Sequence, residues 1–249
     1  MINIFVTGSR GQLGMSIASL KNKYSNYNFF FTDKTSLNIL NFNEVEDYIV
    51  KNKIHVLVNC AAYTNVEKAE DEKELANKIN HLAVKNLAEV SKKHQLKFIH
   101  ISTDYVFEGN SSIPYCENNE TNPQNYYGVS KLNGENALLK VNPSNSIIIR
   151  TSWLCSSFQS NFVKTILKLC KKKEVISVVS NQIGSPTFAN DLATVILQIV
   201  PKINFENTEI FHYTNKGKCS WFQFAQEIVK QSKQPCKVEP VLVKDFKSK

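Results

Sequence analysis

The chain has 249 residues, of which 42% are hydrophobic and 21% charged, with a formal net charge of +8. This length suits one α/β domain with a full core, or one domain carrying a small lobe. Its lysines are scattered among polar neighbours ("KNKYSNYN", "LCKKKE") with no arginine-rich block, which argues against a nucleic-acid binder and leaves a small phosphorylated ligand as a fitting partner; no apolar run approaches the ~18 residues that span a bilayer.

Strand-like and helix-like segments alternate from the first residues. "INIFVTG" reads as a buried strand and "QLGMSIASLKNK" as the helix after it. "NFFFT" is a second strand, followed by the helix "NEVEDYIVKNK" with Asn43 as its expected cap. "HVLVNC" is a third strand, leading to a long helical run from about Lys68 to Lys93, and "KFIHIST" a fourth. "YGVSKLNGENALLK" is a helix and "SIIIRTS" a fifth strand. Short Val/Ile/Phe-rich runs between amphipathic helices predict an α/β fold with a doubly wound, Rossmann-like parallel sheet.

After Trp153 the rhythm loosens into "NFVKTILKLCKKK" (helix), "VISVV" (strand), the loop "NQIGSPT", and the helix "ANDLATVILQIV". "EIFHYT" and "SWFQFAQEIVKQ" follow as strand and helix, and "VEPVLVKDFKSK" as a short strand with a basic tail. The expected division is a dinucleotide-binding domain over 1–152 and 174–200, with a smaller substrate-binding lobe over 153–173 and 201–249. Six cysteines form no C-x-x-C pair and no zinc spacing, so they read as reduced structural thiols. With "MINIFVTG" entering a glycine loop directly and no signal-peptide pattern, a cytoplasmic protein is expected.

"VTGSRGQLG" places Gly8, Gly11 and Gly14 between the first strand and the first helix. The spacing is one residue wider than the usual dinucleotide fingerprint, but the physics is shared. Gly8 turns off the strand, Gly11 admits a pyrophosphate, and Gly14 lets helix pack on sheet, with phosphates meeting the helix N-terminus. Asp33, at the end of the second strand, is placed to accept hydrogen bonds from ribose hydroxyls. Arg10 and Lys34 would instead welcome a 2′-phosphate, so NADH and NADPH both remain open.

"YYGVSK" sets Tyr127 and Lys131 one helical turn apart on the same face. An ammonium beside a phenol favours the phenolate, and moving a tyrosine from about 10 to near 7 takes about 4 kcal/mol. Thr103 ends the fourth strand, on the sheet edge where ligands of such folds bind. Thr103, Tyr127 and Lys131 beside a nicotinamide form a set suited to moving a hydride to or from a carbonyl, with the proton passing through Tyr127.

Several further motifs stand in order: "GSRGQLG" at 8–14, "NCAAYTNVEKAE" at 59–70, "STDYVFEG" at 102–109, "NYYGVSKLNGE" at 125–135, "IIRTSW" at 148–153, "NFVKTIL" at 161–167 and "NQIGSPT" at 181–187. In these the chain resembles the extended short-chain dehydrogenases/reductases, and within them the dTDP-4-dehydrorhamnose reductase family. The resemblance implies NADPH- or NADH-dependent reduction of the 4-keto group of a dTDP-linked 4-keto-6-deoxysugar, dTDP-4-dehydro-L-rhamnose. It gives Tyr127 the role of proton donor, Thr103 that of hydrogen-bonding the C4 oxygen, and Lys131 that of supporting Tyr127 and the ribose. It also implies cofactor contacts from Gly8, Arg10, Gly11, Gln12, Leu13, Gly14, Asp33, Asn38, Ile39, Ala61, Ala62 and Thr64. Val66, Tyr105 and Trp153, with Thr103, would face sugar or thymine.

The chain also departs from the family pattern. Ser16 stands where some members carry a glutamate tied to a magnesium-bridged dimer, so no metal is expected, while a homodimer stays open. Asn38 replaces a frequent aspartate. The pattern runs on to an Arg-Pro pair and a last helix beyond "KDFKSK", so the lobe is expected to be short. "STDYVF" has Tyr105 where sugar 4,6-dehydratases carry a glutamate, which favours carbonyl reduction over dehydration. A non-catalytic relative, the regulatory subunit of methionine adenosyltransferase, and a reductase of another nucleotide-linked 4-ketosugar are the alternatives.

Overall fold

Side chains of the first strand, β1 (Ile2–Thr7), divide between two helical layers. Ile4 and Val6 enter one core with Ile17, Leu192 and Ile196, while Phe5 enters another with Leu57, Leu87 and Leu138. Alternation with both faces buried is what a central parallel strand requires. The structure, a computed structural model, describes residues 1–245; the basic tail expected after the last strand lies, from Phe246 onward, outside the described residues.

The chain continues through α1 (Gln12–Leu20), β2 (Tyr27–Phe31), α2 (Phe42–Lys51), β3 (Val56–Asn59), α3 (Lys73–Asn77), α4 (Ala83–Lys93), β4 (Lys97–Thr103), α5 (Tyr126–Val141) and β5 (Ser146–Thr151). The remainder comprises β6 (Leu154–Cys155), α6 (Phe162–Cys170), β7 (Val175–Val179), β8 (Ile183–Gly184), β9 (Thr187–Phe188), α7 (Ala189–Ile199), β10 (Glu209–His212), β11 (Cys219–Ser220), α8 (Trp221–Ser232) and β12 (Lys237–Val241). Six strands form one parallel sheet in the order β10-β5-β4-β3-β1-β2. The chain leaves β1 to one side for β2 and returns on the other for β3, so the switch point lies between β1 and β3. Among the described residues no helix is long and apolar enough to cross a membrane.

Strand pairing departs from the expected division at two points. β7, from the stretch assigned to the dinucleotide domain, pairs with β12 outside the main sheet. β10, from the stretch assigned to the lobe, extends the main sheet by pairing with β5. The reason is apolar partnership: Ile176 and Val178 of β7 bury against Ile166 of α6 and Ala225, Ile228 and Val229 of α8. These residues form a second, smaller core. Ser220 closes the N-terminus of α8 with a capping box to Gln223.

Two helices also differ from expectation. The residue preceding α2 is Asn41, so Asn43 lies inside the first turn and caps nothing. The long run after Lys68 is broken into a 3₁₀ turn (Lys68–Glu70), α3, a π-helical segment (Lys78–Leu82) and α4. Asn80 in that π segment is fully buried; its side chain accepts from the Tyr63 amide (2.8 Å) and donates to the Tyr63 carbonyl (3.0 Å) and Ser130 Oγ (2.9 Å).

α5 approaches the π segment closely at Gly134, where an added Cβ would lie 2.1 Å from the Asn80 carbonyl oxygen. Backbone on both sides leaves nothing flexible to yield. Gly134→Ala is therefore expected to destabilise the fold by about 1–3 kcal/mol or more, seen as a lower midpoint in urea with an unchanged slope. A wild-type midpoint would mean that the two helices separate freely.

Candidate active site

A cleft of about 1050 Å³ runs along the carboxyl ends of the central strands, from the glycine loop to Trp153. This is the crevice in which open α/β sheets bind ligands. At its first end, α1 begins at Gly11 with no side chain capping its free amides, which leaves N–H groups for an anion. A Cβ on Gly11 would meet only the Gly8 carbonyl oxygen, at 3.2 Å, and Gly11 is exposed on the cleft wall. Gly8 and Gly14 have a different role. A Cβ on Gly8 would reach 2.6 Å from the Ala61 amide, and one on Gly14 would reach 2.5 Å from the Gly8 oxygen. Those two glycines let the loop fold onto β3 and α1. Gly14 is buried beneath the loop and does not line the cleft, whereas Gly8, Arg10, Gln12 and Leu13 do.

The Gln12 side chain turns away from the loop. It donates to the Leu154 carbonyl (3.2 Å) and accepts from Ser156 and Asn161 (3.0 Å each). Asn161 also caps α6 through the Lys164 amide, and Gln159 donates to the Arg10 carbonyl at 2.8 Å. Loop and lobe are thus pinned together beside the proposed phosphate position.

Asp33 lies at the cleft edge with both carboxylate oxygens engaged. Oδ1 accepts from the Thr35 amide (2.9 Å), Thr35 Oγ1 (2.7 Å) and the Ser36 amide (3.0 Å), and Oδ2 is paired with Arg10 Nε. The Thr35 bonds above all, with Ser36 and Arg10, hold this carboxyl well below the usual range. The oxygens expected to meet a ribose are therefore folded into the 33–36 turn. The rim beside them carries Arg10, three-quarters exposed, with Lys34 and Thr35. Asn38 and Ile39 line the next stretch, and Ala61, Ala62, Thr64 and Val66 the wall after β3.

At the far end Thr103, Tyr127 and Lys131 converge. Thr103 ends β4, and Tyr127 enters α5 just after its cap, Asn125, which accepts from the Gly128 amide at 2.8 Å. The Tyr127 ring packs edge-on to Tyr105, centroids 5.5 Å apart. The expectation that Lys131 depresses the Tyr127 pKa is overturned. Burial lifts the phenol well above 10; the hydrogen bond with Thr103 lowers it, while Asp104 and Tyr105 raise it further. The Lys131 ammonium is directed elsewhere, to the Ile101 carbonyl (2.6 Å) and toward His100 Nε2 (3.4 Å). Burial draws Lys131 down to about 8, against the opposing pull of Glu135 and Cys60. His100, fully buried, is held well below its ordinary value by desolvation and by Lys131, so it is neutral and faces the ammonium without a charge.

Trp153 leaves β5 in the left-handed backbone region (φ 47°) and stacks on Trp221 with centroids 3.4 Å apart. A Cβ on Gly184 would strike its ring at 2.4 Å, so the glycine of "NQIGSPT" admits the indole. Trp153 is thus both a wall of the cleft and the contact between sheet and lobe.

Asp104 is a cleft residue that the sequence reading passed over, although "STDY" places it beside Thr103. Burial raises its carboxyl to about 6, while Thr103 and local backbone bonds pull the other way. The raised folded value means that this group's contribution to stability is complete below about 3.8, its ordinary value, and is lost as pH rises through about 6. Asp104→Asn is expected to leave stability unchanged near pH 4 and to raise it at pH 7.5 by up to about 3 kcal/mol, read as a pH-dependent difference in Tm. A constant difference across that range would contradict the shift. In the loop, Gly11→Val is expected to fold normally yet lose measurable NADPH binding in a fluorescence titration; wild-type affinity would move the phosphates elsewhere.

Comparison with known proteins gives the family. The family model for the RmlD substrate binding domain matches residues 2–249. The dTDP-4-dehydrorhamnose reductase of Aggregatibacter actinomycetemcomitans is 41% identical over 228 residues, covering 90% of this chain and 77% of that relative. The Bacillus subtilis spore coat polysaccharide biosynthesis protein SpsK is 36% identical over 249 residues, 100% of this chain and 86% of its own. Among solved structures, the dTDP-4-dehydrorhamnose reductase of Bacillus anthracis in complex with NADP superposes with a TM-score of 0.93 at 37% identity, covering 100% of this chain and 88% of that one. That from Clostridium acetobutylicum gives 0.93 at 40%, covering 99% and 86%. A dTDP-glucose 4,6-dehydratase of Bacillus anthracis, at 18% identity and a TM-score of 0.83, shares the fold. With the family model matching residues 2–249 and relatives at 36–41% identity along most of their length, the chain belongs to the RmlD substrate binding domain family.

Proposed function

We propose that the chain is an NAD(P)H-dependent oxidoreductase that reduces the 4-keto group of dTDP-4-dehydro-L-rhamnose to give dTDP-L-rhamnose. The observation that carries this reading is the meeting of the Thr103 and Tyr127 hydroxyls at the cleft floor, one turn of α5 from a buried lysine. A bound nicotinamide would supply the hydride. The loop amides and Gly11 would hold its pyrophosphate, Arg10 and Lys34 would stand by the adenosine ribose, and Lys131 would hold the nicotinamide ribose. Ala61, Ala62 and Thr64 form the groove between them.

Tyr127 gives its proton to the carbonyl oxygen as charge develops there, and Thr103 hydrogen-bonds the same oxygen. Burial keeps the Tyr127 phenol protonated at neutral pH, so its proton is in place when charge develops on the oxygen. Val66, Tyr105 and Trp153 line the side where sugar and thymine would lie. The free thiols of all six cysteines agree with a cytoplasmic setting.

The test follows absorbance at 340 nm with NADPH, then NADH, and dTDP-4-keto-L-rhamnose generated in situ. Sugar-dependent oxidation is expected. Tyr127→Phe is expected to lower turnover by roughly 10²–10⁴ while NADPH affinity stays near wild type. Unchanged turnover would remove Tyr127 from its role; cofactor binding without oxidation by the wild type would point to a binding subunit or another sugar.

A further inference from the structure

Three consecutive residues at the end of β4 are each clamped to α5, and the α5 partners recur every four residues. Thr103 bonds Tyr127, the Ile101 carbonyl accepts from Lys131 Nζ (2.6 Å), and the Ser102 hydroxyl donates to Glu135 Oε1. Tyr127, Lys131 and Glu135 therefore form one row on the helix, "YGVSKLNGE". Only the first two have a place in the mechanism above. Glu135 has no exposed surface, and its carboxylate receives Arg150 as a fork: Nε lies 3.1 Å from both oxygens and Nη2 2.7 Å from Oε2. Arg150 belongs to β5, three residues before Trp153; its Nη1 donates to the Glu117 carbonyl (3.2 Å) and its guanidinium lies over the Phe107 ring at 5.0 Å.

We propose that Glu135 is a positioning residue for the reduction, whose carboxylate sets Thr103 against Tyr127 through Ser102 and supplies the negative charge opposite the buried Lys131 ammonium. The proposal rests on the reductase reading of the site. A fork to arginine alone would serve the fold. The bond to Ser102, next to the hydroxyl that meets substrate, and the place one turn from Lys131 aim the same group at the chemistry. The other groups facing Lys131 are Cys60, just after β3, and neutral His100 on β4, while Tyr127 stands one turn before it on α5 and Arg150 of β5 is paired with Glu135. Glu135 is the foremost of those that keep Lys131 protonated against desolvation.

The experiment has two arms. In the first, the Lys131 titration is read by NMR of ¹³C-labelled lysine in holoenzyme with NADP⁺, in wild type, Glu135→Gln and Glu135→Gln/Arg150→Gln; the double variant avoids leaving a buried guanidinium unpaired should the single one not fold. Lys131 is expected to titrate at lower pH in Glu135→Gln, and less so in the double variant, which also removes a cation; the alkaline limb of kcat/KM moves with it, giving about a fivefold loss at pH 8 for a one-unit move. In the second arm, Ser102→Ala keeps both charges and frees β4; kcat is expected to fall ~10–100-fold, with NADPH Kd and the alkaline limb unmoved. A Lys131 titration at the wild-type pH in Glu135→Gln, or wild-type kcat in Ser102→Ala, would overturn the proposal. If the wild type itself oxidises no NADPH with the sugar, the reductase reading fails, and the NMR arm still decides whether Glu135 sets the charge of Lys131.

Discussion

Lys131 has 2% of its surface exposed, between the central sheet and the helix that carries Tyr127. An ammonium in that position needs a replacement for the water it has lost, or it gives up its proton. The Ile101 carbonyl and the neutral His100 imidazole, both on β4, and the Glu135 carboxylate one turn along α5 supply the replacement. Much of the local architecture follows from bringing them together. Gly128 and Gly134 allow α5 to settle onto backbone at Tyr105 and Asn80. Asn125 starts the helix where Tyr127 falls in its first turn, and Asn142, in the left-handed region, ends it. The cores on the two sides of the sheet then hold β4 and β5 at a fixed height beneath it.

The same seam settles how acid and base duties divide. Burial acts on Tyr127 and Lys131 in opposite senses, raising the phenol and lowering the ammonium. The two groups start from nearly equal ordinary values and therefore move apart in proton affinity, the phenol holding its proton more tightly than the ammonium. The rest of the cleft contributes binding. The glycine loop, the 33–36 turn and the wall after β3 present backbone amides, a cation-rich rim and small side chains along its length. Gln12 and Asn161 tie the glycine-loop end of the cleft to the lobe, so that the two share hydrogen bonds.

Local pattern made much of this legible. The strands of the central sheet were readable because Val, Ile and Phe cluster in short runs between amphipathic segments, and the Tyr–Lys spacing because a helix repeats every 3.6 residues. Glycine spacing pointed to the loop, although Gly14 packs beneath it while Gly8 and Gly11 line the cleft, and of these only Gly11 has room for a Cβ. What spacing conceals is environment. Nothing in "YYGVSK" says that Tyr127 is buried, and burial reverses the expected direction of its pKa. Asp33 stands at the expected place, yet the neighbouring Thr35, Ser36 and Arg10 claim its oxygens. The π segment around Asn80 looks like ordinary helix in sequence. β10 resembles any short strand, because its partnership with β5 spans some sixty residues and leaves no local trace.

That partnership bears on how specificity could change in descendants of such a chain. The polypeptide leaves the main sheet after β5 to build α6 and β7, comes back for α7 and β10, and departs again for α8 and β12. The lobe core is therefore stitched from two separate lengths of chain, with a strand of the main sheet between them. A lobe of this kind cannot be exchanged whole by a single recombination event. Changes in the lobe would instead accumulate by point substitution, constrained at Trp153, Gly184 and Trp221, where the two lengths pack on the sheet.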